Sequence, residues 1–196
     1  MPWFRAFVFS GGCIGRKLRH SAAMAIRPIL RMGHPILRRR AEPVGDPATP
    51  EIRALVADMV DTMRAAHGRG IAAPQIGVSR RLVIFHAPLD DQNSRAVADA
   101  PLTVLADPVV EVLDPALASD WEGCLSVPGL KGLVPRARVI RYRGLDLDGR
   151  PVERIARDFH ARVAQHEIDH LDGILYPQRM TDLGTLEFLD SEPFED

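Results

Sequence analysis

Between residues 50 and 66 the apolar positions Ile52, Leu55, Val56, Met59, Val60 and Met63 recur at steps of three and four, which predicts a helix with one buried face. Thr49 suits its N-cap, Pro50 its first helical position, and Gly68 follows the basic last turn as a stop signal. The pattern then changes period. Residues 81–87 hold Leu82, Val83, Ile84 and Phe85, a short apolar run that predicts a buried strand, and the polar residues 88–100 predict a surface loop. Residues 103–113, rich in Val and Leu but with Pro108 in their middle, predict a strand interrupted near the proline, and residues 134–148 alternate in places as a second strand. Asp148 and Gly149 predict a hairpin into residues 151–156. From residue 158 to about 171 the helical period returns, with Phe159, Val163, His166 and His170 on one face. Beyond Pro177 the tail is short and acidic, with Phe188 and Leu189 expected to pack back and residues 192–196 to be solvated. Strands in the middle bracketed by two helices give an α+β class.

Composition narrows the use of this fold. With 196 residues, 46% of them hydrophobic, the chain can bury a core as one domain. A formal net charge of -1 leaves no global field for nucleic acid or an anionic membrane, so a small, locally recognised partner fits better. Two cysteines, Cys13 and Cys124, lie in dissimilar surroundings, so a disulfide framework is not expected and Cys124 is available as a thiol or thiolate. No apolar run approaches the roughly 18 to 20 residues of a membrane span. Before Glu42 there is no acidic residue, while Arg5, Arg16, Lys17 and Arg19 are basic. Residues 1–23 therefore read as a disordered extension or, alternatively, an organelle transit peptide, ahead of a domain over residues 24–196.

Three segments carry chemistry. His166-Glu167-Ile168-Asp169-His170 is an HExxH pattern, in which two imidazoles one helical turn apart can bind one metal ion while Glu167 faces its water as general base. The same residues also suit an amphipathic helix with two partly buried histidines. A catalytic metal needs a third protein ligand and an open position. Cys124, in Glu122-Gly123-Cys124-Leu125-Ser126, is the candidate, although an isolated cysteine also serves as a small core residue. The third segment, residues 68–77, is rich in small side chains that let a substrate backbone lie close, and Gln75 could donate to a developing oxyanion. It also suits a tight connection between helix and strand. Without a Gly-Lys-Ser or Gly-Lys-Thr ending it is no phosphate loop.

Taken together and in this order, GxGxAAxQ at residues 68–75, EGCLS at 122–126 and QHExDHLxG at 165–173 resemble the three signature motifs of the peptide deformylases, over about residues 24–177. The resemblance implies antiparallel sheets packed around a central helix bearing the metal-binding histidines. It implies removal of the formyl group from the N-terminal formyl-methionine of nascent proteins, possible at the ribosome, with a cytoplasmic location of bacterial type. It further implies one divalent ion held by Cys124, His166 and His170, usually Fe2+, with Zn2+, Ni2+ or Co2+ able to replace it. Metal-bound water would attack the formyl carbon with Glu167 as base and then acid, while Gln75 and the Leu125 backbone N–H hold the oxyanion. Gly70 would offer backbone hydrogen bonds to an extended substrate, and Phe159 and Val163 are candidates for the wall of the methionine slot. Arg69 and Arg162 depart from the apolar residues that family members often carry near this slot. Two other readings differ in class: an HExxH peptidase, which would not need Cys124, and a structural-metal or peptide-binding module, which would not need Glu167.

Overall fold

The computed structural model describes residues 25–87 and 101–189, so the extension at 1–23, the loop at 88–100 and the solvated residues 192–196 fall outside the described residues. Helix α1 spans Pro50–Ala65 and helix α2 Asp158–Leu171. Six strands follow the order β1 (Gly70–Ala72), β2 (Leu82–His86), β3 (Leu102–Cys124), β4 (Val127–Leu145), β5 (Pro151–Arg157) and β6 (Glu187–Phe188). They form one antiparallel sheet in the order β1-β2-β3-β4-β5, with β6 pairing onto β4. The α+β class and the antiparallel pairing stand, and among the described residues a single sheet takes the place of separate ones.

Local sequence explains both ends of α1. Thr49 Oγ1 accepts from the Ile52 N–H at 3.4 Å, as its N-cap role requires. At the other end the left-handed residue is His67, at φ 53°, and the Gly68 N–H bonds to the Met63 carbonyl at 2.9 Å, so the stop comes one residue before the glycine.

Alternation along β2 divides the interior. Leu82 and Ile84 pack with Ile52, Leu55, Met59 and Met63 of α1, whereas Val83 and Phe85 pack with Ala161, Ala164, Ile168 and Leu171 of α2. The two helices thus press on opposite faces of one strand, with side chains of period two supplying both cores.

The longest feature is the β3–β4 hairpin, paired from Ala106↔Leu145 to Cys124↔Val127 with bulges at Ala106/Val109, Val112/Asp114, Asp114/Leu117 and Gly123/Cys124. The first bulge contains Pro108, at the predicted interruption. β3 therefore runs on well past residue 113, and its tip delivers Cys124 to α2. The tail does return, through β6 on Leu130 and Lys131 and with Leu189 at the cleft margin, but Phe188 and Leu189 remain 65% and 59% exposed, so the return buries less of them than expected. Backbone pairing, not burial, brings this segment home.

Candidate active site

α2 places His166, Glu167 and His170 in the interior, with Glu167 and His170 only 5% and 2% exposed. The hairpin tip brings Cys124 against them, its Sγ 3.4 Å from His170 Nε2. One ligand atom from each of Cys124, His166 and His170 lies within 4.8 Å of the others, so this trio could hold a single metal ion. One sulfur and two imidazole nitrogens form a borderline-soft donor set suited to ferrous iron, zinc, nickel or cobalt.

A buried ionic layer supports the trio. Glu122 Oε2 stands 2.8 Å from His166 Nδ1. With Nδ1–H donating to that carboxylate, Nε2 is the ring nitrogen left for a ligand role, the arrangement common among metal-binding histidines. Arg136 grips Glu122 through Nε at 2.9 Å and Nη2 at 3.0 Å and reaches Asp169 with Nη1. Arg162 adds Nη1 to Glu122 at 2.7 Å, and its remaining bonds go to the Val134, Ala118 and Asp120 carbonyls at 2.7, 2.6 and 3.4 Å. Arg162, which departs from the apolar pattern, thus belongs to the scaffold beneath the site.

Burial works against the Glu122 charge, but hydrogen bonds from His166 and Arg136 outweigh it and lower the pKa to about 2. Burial also opposes the charged form of His166, yet bonds to Cys124 and Glu122 raise its pKa well above the ordinary imidazole value. His170 moves the opposite way, pushed well below by burial and by the neighbouring His166. Glu167 is raised to about 7, chiefly by burial, and its Oε2 has no hydrogen-bond partner among the described residues. A buried polar atom without a partner at a cleft wall is positioned for something that arrives from outside.

That cleft measures about 700 Å³ and is lined by Gly70, Gln75, Cys124, Leu125, Phe159, Val163, His166 and Glu167 among others, with His170 buried behind it. Every residue that sequence singled out for the site is therefore brought to one place. Gly70 leaves the space that the Glu167 carboxylate occupies: a Cβ there would meet that side chain, which would have to shift. Gln75 is fixed from both ends of its amide. Its Oε1 accepts the Ala72 N–H at 2.8 Å, and its Nε2 donates to Ser126 Oγ at 3.1 Å and approaches Cys124 Sγ at 3.6 Å. One donor hydrogen is thus taken up by Ser126, and the other faces the trio at Cys124.

Sequence reasoning gave no role to Glu122, Arg136, Ser126 or Tyr176. Tyr176 lies nearly parallel to the His166 ring, with centroids 6.4 Å apart. Glu122 carried a signal, since it sits two residues before Cys124 on the same strand, but Arg136 comes from the facing strand of the hairpin and no sequence spacing points to it.

Comparison with known proteins places the chain in a family. The family described as Polypeptide deformylase matches residues 26–185. The chain is 54% identical over 163 residues to peptide deformylase 2 of Ralstonia nicotianae, covering 83% of this chain and 92% of that protein. It is 56% identical over 158 residues to peptide deformylase 1 of Bordetella pertussis, covering 81% and 89%. Among solved structures, the Met-Ala-Ser-bound class I type b peptide deformylase of Acinetobacter baumannii superimposes with a TM-score of 0.72 at 34% identity, covering 80% of this chain and 99% of that one.

Proposed function

The chain belongs to the polypeptide deformylase family, hydrolases that remove N-terminal formyl groups, and from that premise we propose that Cys124, His166 and His170 hold one divalent metal ion, Fe2+ or in its place Zn2+, Ni2+ or Co2+, beside which Glu167 moves the protons of formyl-amide hydrolysis. The observation that carries this reading is the unpartnered Glu167 carboxylate, buried at the wall of the cleft that Cys124 and His166 also line, with His170 beside them. When bound, the ion supplies Lewis-acid chemistry that makes water a competent nucleophile near neutral pH.

The residues of the chain do the rest. Water adds to the formyl carbon, and Glu167 accepts its proton at the carboxylate. Negative charge collects on the former carbonyl oxygen, where Gln75 Nε2 and the Leu125 backbone N–H donate to it. Loss of one such donor typically costs about 2.7 to 4 kcal/mol of transition-state stabilisation. As the C–N bond breaks, Glu167 returns the proton to the methionyl nitrogen, and formate and a free N-terminus leave. Gly70, on edge strand β1, offers backbone groups to an extended substrate, while Phe159 and Val163 wall the methionine side chain. The substrates are N-formylmethionyl ends of nascent chains, and the working domain is residues 24–196, acting in the cytoplasm.

Formate release from formyl-Met-Ala-Ser by anaerobically purified protein tests this directly, with Glu167→Ala alongside and metal content measured on both. Activity in the wild type, and a variant that keeps its metal but releases no formate, is the expected result. A metal-loaded wild type that releases none would sink the proposal.

A further inference from the structure

Past Phe159 the catalytic cleft opens into a second hollow of about 460 Å³, and Arg69, Phe159 and Arg162 line both. Four arginines surround this second space, three of them held by carboxylates: Arg136 and Arg162 by Glu122, and Arg138 by Asp158 at 2.9 Å. Arg69 differs. It is exposed, and among the described residues no carboxylate lies within ion-pair distance of it. Its guanidinium carbon stands 5.3 Å from the centroid of the Phe159 ring.

This placement is fixed from two sides. The Arg69 carbonyl accepts the His86 N–H at 2.8 Å, which anchors the backbone next to Gly70. The Phe159 face attracts the cation and limits its wandering. A guanidinium lying over a ring keeps its in-plane N–H donors free, and those donors match the two oxygens of a carboxylate.

We propose that Arg69 is a specificity-determining residue that favours substrates with a side-chain carboxylate on one of the two residues after formyl-methionine. The inference rests on the deformylase reading of the cleft. An extended substrate laid along the free edge of β1 advances about 3.3 Å per residue and turns alternate side chains to opposite sides. With its first side chain against Phe159 and Val163, the residues that follow pass the far side of the Phe159 ring, where Arg69 stands. Among the cations there, Arg69 is the one whose charge is not already matched by a protein carboxylate.

The test compares kcat/KM of the metal-loaded enzyme on formyl-Met tripeptides carrying Glu or its neutral isostere Gln at the second or the third position. Wild type is expected to favour Glu about two- to fivefold at one of these positions, the scale of an exposed ion pair, and to lose the preference as salt rises. Arg69→Met should bring the Glu/Gln ratio to one, Arg69→Lys should retain part of it, and Arg69→Glu should invert it. A wild-type ratio of one at both positions, or the same ratio in wild type and Arg69→Met, overturns the proposal while leaving the hydrolase intact. Failure of wild type to release formate from any of the peptides, neutral ones included, removes both readings together.

Discussion

Glu122 Oε2 lies 2.8 Å from His166 Nδ1, so whatever holds Glu122 also aims His166. Arg136 and Arg162 do the holding, from the facing hairpin strand and from α2 itself. Replacing Glu122 with Gln keeps the shape but removes the charge that three cationic or proton-donating groups share. Metal affinity is expected to fall about 10- to 100-fold, read by competition with a chelator of known affinity. Stability should fall by about 3 to 5 kcal/mol, because the buried Arg162 guanidinium loses its one carboxylate partner and Arg136 is left with Asp169 alone. An affinity equal to wild type would show that His166 is oriented by something else.

Glu167 makes the opposite contribution to folding. In the metal-free protein its pKa is raised to about 7 from an unfolded value near 4.5, chiefly by burial, so the native state favours the protonated form. Its contribution is fully present below about pH 4.5 and is lost as pH rises through 7. Glu167→Gln, which is neutral throughout, should therefore exceed the metal-free wild type in stability by about 3 kcal/mol at pH 8, with the difference vanishing near pH 4. Denaturant titrations of both proteins at the two pH values measure this, and a gap independent of pH would exclude the carboxylate as its cause.

Gly70 tests the fit between β1 and the proposed base. An alanine methyl must displace the Glu167 carboxylate, which is not one of the three candidate ligands. Gly70→Ala should keep its metal stoichiometry and lose kcat by two orders of magnitude or so, the scale on which misplaced catalytic groups act. Unchanged turnover would mean that Glu167 can work from another rotamer.

Met59 is fully buried in the α1 core, on the face of β2 turned away from the site. Met59→Ala is expected to lower unfolding free energy by about 2 to 5 kcal/mol and to leave formate release per folded molecule unchanged. A loss of activity in fully folded variant would show that the two cores communicate.

Much of this structure was legible in the sequence where burial and period coincide. α1 and α2 fall within a residue of their expected ends, because each buries one stripe, and β2 was visible as a run of four apolar residues. β3 was legible only in part. From Asp114 to Asp120 its residues are mostly exposed and interrupted by bulges, so no alternation marks them, and the strand exists there through its ladder with β4. β1 was hidden for another reason: three small or buried residues beside a glycine read as a connection, and only the pairing with β2 makes them a strand. At the site, the residues that face the cleft were readable from motif chemistry. The layer behind them was not, since Arg136 and Asp169 meet through tertiary folding across 33 positions of chain.

The alternation along β2 also bears on how the protein comes apart. Leu82 and Ile84 belong to one core and Val83 and Phe85 to the other, all four fully buried on adjacent residues of one strand. Neither half can melt without stripping one side of the strand on which the other half is built. Unfolding should then be a single cooperative event, with the amides of residues 82–86 among the slowest to exchange with solvent, and the rigidity of the metal cradle is a property of the whole domain.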